Sequence, residues 1–272
     1  MAKRMIGWGT TVAALTAVLA ACTTTTEQGA VGVERRQLLL VSSAEMDQSA
    51  VTAYQTVLKE QGAKGAVNKD PKQVERLRRI AGRLTPQTAV FRKDAPGWKW
   101  EVNVITSPEL NAWCMPGGKI AFYSGILEKL QMTDDEIAAV MGHEIAHALR
   151  EHARERASQQ MATQAGAGVV SSVLGVGQGG ADLVGMVGQV TYLLPYSRLH
   201  ETEADRMGVE LAARGGYDPR AAIGLWQKMA KASSGGGPPQ ILSTHPSNDE
   251  RIKDLGVFAQ RVLPLYEQAK GK

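Results

Sequence analysis

The residues best suited to chemistry are two histidines four positions apart, with a glutamate directly after the first. They are His143, Glu144 and His147, within Met141-Gly-His-Glu-Ile-Ala-His147. On an α-helix, residues i and i+4 lie on one face about one turn apart, so both imidazoles can reach one zinc ion. The Glu144 carboxylate is then placed to take a proton from a metal-bound water. The pattern indicates a hydrolytic zinc site, although a helix with two histidines and a chance glutamate would show the same letters.

The sequence around these residues predicts the helix that would carry them. Thr133 and Glu136 form a capping box, which predicts a helix beginning at Asp134. No proline or glycine follows Gly142 until Gly166, so the histidines are expected in the middle of a rigid element. A buried face is predicted at helical spacing by Ile137, Val140, Met141, Ile145 and Ala148.

A second helix carries acidic residues at a matching spacing. Ser197 can cap a helix that ends at Gly215-Gly216. Glu201 and Asp205 share one face of it, and Glu201 can supply the third protein ligand that a catalytic zinc needs. Asp205, one turn on, is placed to accept the free N–H of a ligand histidine and so fix its tautomer. The alternative is a solvated acidic face, which describes Glu203 unless that residue pairs with a nearby arginine.

A further histidine lies close to the C-terminal helix. His245 stands in Thr244-His-Pro-Ser247, and Ser247 with Glu250 forms a capping box for that helix. A loop histidine can reach a metal-bound oxygen, but on its own such a residue is more often exposed at the surface. Both interpretations of His245 stay open on the residues alone.

The scaffold is expected to combine helices with a small sheet. Residues 98–104 alternate between apolar and polar, and a second strand over 119–123 follows the turn at 116–118. The sheet edge either pairs with an extended peptide or is purely structural. Cys114 is interpreted as a partly buried free thiol. We therefore expect an α+β, mainly α-helical fold of the zincin type, with further helices over 47–60, 70–83 and 218–232.

Composition argues against a nucleic-acid partner. The chain of 272 residues has 43% hydrophobic and 21% charged residues, which is ordinary for one sizeable globular domain. Removing Lys3 and Arg4, which lie in an expected leader, from the 31 basic residues leaves 29 against 27 acidic ones. This near balance, with no basic stripe interleaved with aromatics, gives no support for nucleic-acid binding.

The first residues are typical of a secretion signal. Lys3 and Arg4 precede a short apolar core over 12–21, which is too short to span a membrane comfortably. Leu19-Ala-Ala-Cys22 resembles the bacterial lipobox, so we expect cleavage before Cys22 and a lipid anchor on its thiol. By resemblance to lipoprotein sorting rules, Thr23 favours the outer membrane. The alternative is an ordinary cleaved signal with an incidental cysteine.

Three regions are predicted along the chain. They are a signal peptide over 1–21, a polar tether over 22–45 and a catalytic domain over 46–272. Within the domain, residues 159–194 are rich in glycine and contain no lysine or arginine and one acidic residue, Asp182. This composition fits either a mobile lid above the metal site or a poorly ordered insertion.

Four segments together resemble one family of zinc metallopeptidases. The family includes the CAAX prenyl protease, the HtpX-type membrane proteases, the mitochondrial Oma-type proteases and the periplasmic LoiP- and BepA-type enzymes. The resemblance covers about residues 70 to 255. Its segments are Asn111-Ala-Trp-Cys-Met-Pro-Gly-Gly118, His143-Glu-Ile-Ala-His147, Ser197-Arg-Leu-His-Glu-Thr-Glu-Ala-Asp205, and Thr244-His-Pro-Ser247 followed by Arg251-Ile252.

The resemblance implies a role for each residue of the site. One Zn²⁺ per chain would be bound by His143, His147 and Glu201, with Glu144 as the general base. Asp205 would orient a ligand from behind. The family's histidine in the Thr-His-Pro segment corresponds to His245, which would stabilise the oxyanion or gate the metal.

The resemblance also implies a substrate class. The chain lacks the multiple membrane spans of the prenyl-protease and HtpX branches and the long helical-repeat tail of the BepA kind, and it looks most like the LoiP-type lipoproteins. This implies a zinc endopeptidase at the periplasmic face of the outer membrane, acting on unfolded or misassembled envelope proteins in quality control. One rival is a lipoprotein chaperone or assembly factor with a latent zinc site. A weaker rival is a structural lipoprotein with coincidental motifs.

Overall fold

The computed structural model describes residues 22–166, 179–232, 240–246 and 249–271. The predicted signal peptide and the Ser247 half of the last capping box lie outside these ranges. No helix within them is both long and apolar enough to cross a membrane. The helices are α1 Ser43–Ala63, α2 Pro71–Leu84, α3 Ser124–Lys129, α4 Asp134–Leu149, α5 His152–Gly166, α6 Gly179–Gly188, α7 Arg198–Arg214, α8 Ala221–Ala232, α9 Gln240–Thr244 and α10 Asp249–Ala269. The strands are β1 Cys22–Thr23, β2 Gln37–Leu38, β3 Glu101–Ile105, β4 Ala112–Met115 and β5 Lys119–Tyr123.

A three-stranded sheet packs beside α4. Its order is β3-β5-β4, with β3 parallel and β4 antiparallel to β5. Strand β3 begins later than predicted, at Glu101. Residues 95–97 form a 3₁₀ turn instead, and the Trp98 N–H donates to Ala95 O at 3.1 Å. Residues 112–115, for which no strand was predicted, form the fully buried strand β4. Cys114 within it is a free, buried thiol.

The turn between β4 and β5 requires glycine. Gly117 and Gly118 have φ of +72° and +81°, in the left-handed region that residues with a Cβ rarely adopt. A Cβ on Gly118 would also lie 2.6 Å from the Trp100 ring. These glycines let β4 fold back beside β5, and β4 in turn packs against α4.

The helices α4 and α7 form the centre of the fold. The capping box of Thr133 and Glu136 that starts α4 is confirmed, and nearly the whole helix is buried. The two backbones meet where Gly142 faces Gly208, because a Cβ on Gly142 would lie 2.7 Å from Gly208 O. Glycine at both positions therefore lets the histidine face of α4 approach the acidic face of α7.

Residues 22–45 are not the tether that composition predicts. They pack against the domain, and Val31 and Val33 join its main hydrophobic core. The backbone N–H groups of Ala30 and Val31 donate to Glu210 Oε2 on α7 at 2.8 and 3.1 Å. The guanidinium of Arg35 binds buried carboxylates of α5 and α7. The prediction was wrong because these apolar and charged residues find their partners far away in the sequence.

The glycine-rich region is helical on both sides of its middle. Residues up to Gly166 continue α5, and residues from Gly179 form α6, which leads into a π-helical turn over 189–193. Val187 and Val190 are buried in a second core that contains Trp113. Residues 167–178 lie outside the described ranges, so the lid interpretation stays a prediction.

Candidate metal centre

Four side chains of the predicted site meet in the interior. His143 and His147 come from α4, Glu201 from the first turn of α7, and His245 from the residue after α9. Each is at most 5% exposed, and one ligand atom from each lies within 4.8 Å of all the others. We refer to these four residues as the metal centre.

The spacing of their ligand atoms fits a tetrahedral zinc ion. His143 Nε2 lies 3.1 Å from His147 Nε2 and 3.2 Å from His245 Nδ1. Glu201 Oε1 lies 2.9 Å from His245 Nδ1 and 3.4 Å from His147 Nε2. Ligands about 2.0–2.1 Å from a tetrahedral zinc are about 3.3 Å from one another. Imidazole nitrogens and a carboxylate oxygen are also ligand types that zinc prefers.

His143 is oriented by the carboxylate predicted for that purpose. Its Nδ1–H donates to Asp205 Oδ1 at 2.9 Å, which leaves the Nε2 lone pair facing the metal centre. Two 2.8 Å hydrogen bonds from Arg251 hold Asp205. Burial opposes ionisation of Asp205, but the charge of Arg251 and the hydrogen bond from His143 lower the pKa of Asp205 overall. Asp205 is therefore a carboxylate that keeps the His143 proton on Nδ1.

Two buried carboxylates at the site, Glu144 and Glu201, differ in what their oxygens contact. Glu144 is 2% exposed, and its Oε1 accepts no hydrogen bond from the described residues. Glu201 Oε2 is paired with Arg251 Nη1 at 2.8 Å. Burial is the main reason that the pKa of Glu144 is raised.

His245 is not the surface residue that its loop position alone would suggest. It is 1% exposed, its Nδ1 faces Glu201, and its Nε2 lies 3.5 Å from Glu144 Oε1. Burial lowers the pKa of His245, but the charges of Glu201 and Glu144 outweigh this effect and raise it. The surroundings of His245 thus favour positive charge.

Comparison with known proteins decides the family. The sequence profile described as "Peptidase family M48" matches residues 71–257, which include every residue of the metal centre. This chain belongs to peptidase family M48. The resemblance seen in the sequence is confirmed.

Relatives of this M48 chain include organellar and bacterial proteins. It is 37% identical over 176 residues to the mitochondrial metalloendopeptidase OMA1 of Arabidopsis thaliana, covering 64% of this chain and 35% of the relative. It is 33% identical over 189 residues to the OMA1 protein of Saccharomyces cerevisiae, covering 64% and 51%. It is 31% identical over 174 residues to the beta-barrel assembly-enhancing protease of Escherichia coli, covering 61% and 36%. The match therefore spans about a third to a half of each relative.

The partner of His147 was missed by sequence reasoning. His147 Nδ1 lies 2.9 Å from His152 Nδ1, and His152 Nε2 lies 2.9 Å from Glu203 Oε2. A spacing of five residues does not place two side chains on one helix face, but α4 ends before His152. Glu151, with φ of +52°, turns the chain between α4 and α5. The only signal in the sequence was a third histidine soon after the motif.

Glu203 pairs with arginine rather than facing solvent. It lies 3.1 Å from Arg150 and 2.9 Å from Arg35. We refer to the surrounding group as the ion network, whose members are Arg35, Arg150, His152, Glu155, His200 and Glu203. The solvated interpretation of Glu203 was wrong, and the pairing interpretation is confirmed.

Tyr196 is a second residue that sequence reasoning missed. Its ring centroid lies 4.0 Å from that of His147 and 5.1 Å from that of His245. Its backbone N–H donates to Thr244 O at 2.8 Å, which ties the start of α7 to the residue before His245. Burial raises the pKa of the phenol. Tyr196 therefore forms an uncharged wall on one side of the metal centre.

Proposed function

We propose that this M48 chain is a zinc-dependent endopeptidase. The observation that carries the proposal is the convergence of His143, His147 and Glu201 beside Glu144, whose buried carboxylate oxygen lacks a donor among the described residues. A zinc ion held by these ligands would supply a Lewis acid that polarises the scissile carbonyl and acidifies water. Glu144 accepts the proton of the attacking water and returns it to the leaving amine.

With His245 in place, the site offers four protein ligand atoms and leaves no open position for water. A catalytic zinc site has three protein ligands and one open position, whereas four protein ligands are typical of a site that does no chemistry. His245 Nδ1 lies as close to His143 Nε2 as His147 does, within 0.1 Å. We infer that His245 must withdraw before water enters.

The proposed substrates are unfolded or misassembled proteins of the bacterial cell envelope. The support is the name of the Escherichia coli relative, the beta-barrel assembly-enhancing protease, and the lipobox-like segment before Cys22. Lipidation of Cys22 would place the enzyme at the periplasmic face of the outer membrane.

Zinc content and cleavage of casein, measured together, test the central proposal. We expect stoichiometric zinc in the wild type and in Glu144→Gln, with cleavage by the wild type alone. His245→Ala is expected to cleave faster than the wild type, because the fourth position is then open. Absence of zinc from the folded wild type would refute the proposal.

A chaperone or assembly factor with a latent zinc site is the second candidate, favoured by the position of His245. It predicts zinc in all three proteins and no cleavage by the wild type, together with suppression of aggregation of an unfolded client. Cleavage by the wild type that is lost in Glu144→Gln would exclude it.

A further inference from the structure

The two ligand histidines of α4 are held in different ways. A carboxylate contacts His143 directly, because its Nδ1–H donates to Asp205. The corresponding atom of His147, its Nδ1, contacts the imidazole of His152 instead of a carboxylate. Since an imidazole can either donate or accept, the effect of His152 on His147 depends on where the proton of His152 lies.

The position of that proton follows from Glu203. The Glu203 carboxylate only accepts hydrogen bonds, so the contact at 2.9 Å requires the His152 proton on Nε2. In a neutral His152 ring, Nδ1 is then a lone pair, and the 2.9 Å contact requires the His147 proton on its own Nδ1. His147 Nε2 is left as a lone pair directed at the metal centre. One carboxylate therefore sets the tautomer of both rings.

We propose that His152 is a positioning residue for zinc, which holds His147 through the relay Glu203–His152–His147. This inference rests on the zinc site of the proposed function. His152 is 0% exposed and His147 is 2% exposed, so water cannot replace the imidazole without rearrangement. Loss of His152 would leave a buried N–H on His147 without an acceptor and free the ring to rotate or change tautomer.

The relay extends to the N-terminal segment. Glu203 Oε1 accepts from Arg35 Nε at 2.9 Å and from Arg150 Nη2 at 3.1 Å. Arg35 also binds Glu155 through two 2.6 Å hydrogen bonds, so Glu203 cannot turn away from His152 without disturbing both arginines. The segment 22–45 thereby helps to hold a ligand of the metal centre.

His200 provides a matched control for a purely structural role. Its ring stacks on that of His152, with centroids 4.3 Å apart and an angle of 23°, and it is 4% exposed. Its Nε2 donates to Glu155 at 3.1 Å rather than to a metal ligand. Removing either histidine takes one buried imidazole from the ion network, but only His152 touches His147.

The test is the zinc dissociation constant, measured on the purified folded protein by competition with a chromophoric chelator. We expect His152→Leu to raise the Kd by about 10- to 100-fold, the range typical of partners that orient a ligand. His152→Asn should recover most of the affinity, because its Oδ1 can occupy the place of Nδ1 and accept from His147. His200→Leu should lower thermal stability but leave the Kd unchanged.

A second readout does not depend on affinity. With Co²⁺ as the probe, the visible absorption bands should shift in His152→Leu, return towards the wild-type spectrum in His152→Asn and stay in place in His200→Leu. If His152→Leu does not fold, the Co²⁺ spectra and Kd of His152→Asn and His200→Asn provide the comparison. In that pair, His152→Asn is expected to change the Co²⁺ spectrum and the Kd slightly, and His200→Asn is expected to change neither.

Two results would overturn the relay while leaving the zinc site intact. One is a wild-type Kd and spectrum in His152→Leu, and the other is an equal loss of zinc affinity in His200→Leu. A wild type that binds neither Zn²⁺ nor Co²⁺ would instead refute the proposed function, and the relay with it.

Discussion

The metal centre and the ion network lie side by side, and both are buried and rich in histidine and carboxylate. They differ in charge. At the metal centre and its flanks, the carboxylates of Glu144, Glu201 and Asp205 face the guanidinium of Arg251, a formal charge of −2 with neutral histidines. In the ion network, two carboxylates face two guanidiniums, so the formal charge is zero. A divalent cation would therefore bring the charge of the first group to zero, whereas it would leave the second group with a charge of +2.

The two regions also differ in which polar atoms lack partners. All four carboxylate oxygens of Glu155 and Glu203 accept hydrogen bonds. The orphan atoms of the ion network, within the part of the chain that the structure describes, are nitrogens of Arg150 and His200. Beside the metal centre, the orphan atom among the described residues is a carboxylate oxygen, Glu144 Oε1. A buried cation site is thus distinguished by an unmet acceptor and excess negative charge, and not by its content of histidine and glutamate.

The largest expected effect is on catalysis. Glu144→Gln removes the proton acceptor while keeping a side chain of similar shape, so kcat for casein should fall by about 100- to 10,000-fold. Zinc content should remain stoichiometric, because Glu144 is not among the ligands. Steady-state kinetics with metal analysis checks this. A variant that keeps its activity would show that the orphan oxygen has no part in the chemistry.

Two glutamates on α7 allow a direct comparison of the regions. Glu201→Gln should weaken zinc binding by more than about 100-fold, because it removes a charged ligand. Loss of a partner that only orients a ligand typically costs up to about 100-fold. Glu203→Gln should lower the free energy of unfolding of the metal-free protein by about 3–5 kcal/mol, because it breaks a buried ion network. Chelator competition and urea unfolding of both variants measure the two effects. Equal destabilisation of the metal-free protein by both substitutions would remove the distinction.

Adjacent arginines test whether the N-terminal segment belongs to the ion network. Arg35→Ala should lower the free energy of unfolding by about 3 kcal/mol, the lower end for a buried pair, because its side chain is 21% exposed. Arg36, whose hydrogen bonds reach only Cys22 O among the described residues, is the control. Arg36→Ala should leave stability nearly unchanged in urea unfolding. Similar losses in both variants would mean that residues 22–45 contribute little through Arg35.

The smallest expected effect is a pH dependence of the ion network. Burial alone would raise the pKa of Glu155, but hydrogen bonds from His200, Arg35 and Gln37 lower it to about 2. A lowered carboxylate pKa stabilises the fold above the ordinary value of 4.5, and this stability is lost as the pH falls from 4.5 towards 2. The Tm of the wild type should fall more steeply across that window than the Tm of Glu155→Gln. The exposed Glu75 gives the control substitution, Glu75→Gln, which should follow the wild type.

Several features of the site are local and were predictable from residue spacing. The capping box at Thr133 and the apolar repeat after it determine where α4 begins and which face it buries. The spacing of four residues places His143 and His147 on one side of that helix, and the same spacing places Glu201 and Asp205 together on α7. These relationships depend on backbone hydrogen bonds between near neighbours, so the sequence alone determined which potential ligands share each helix face.

Only the tertiary structure decided what each of these faces meets. Glu201 and Glu203 are two residues apart on one helix, yet Glu201 faces the histidines of the metal centre as well as Arg251, whereas Glu203 faces the ion network. The approach of α4 and α7 at Gly142 and Gly208 produces this division. The packing of residues 22–45, the turn at Glu151 that brings His152 to His147, and the burial of His245 likewise depend on contacts between distant residues. Residue spacing determines which side chains share a surface, whereas long-range packing determines what that surface touches.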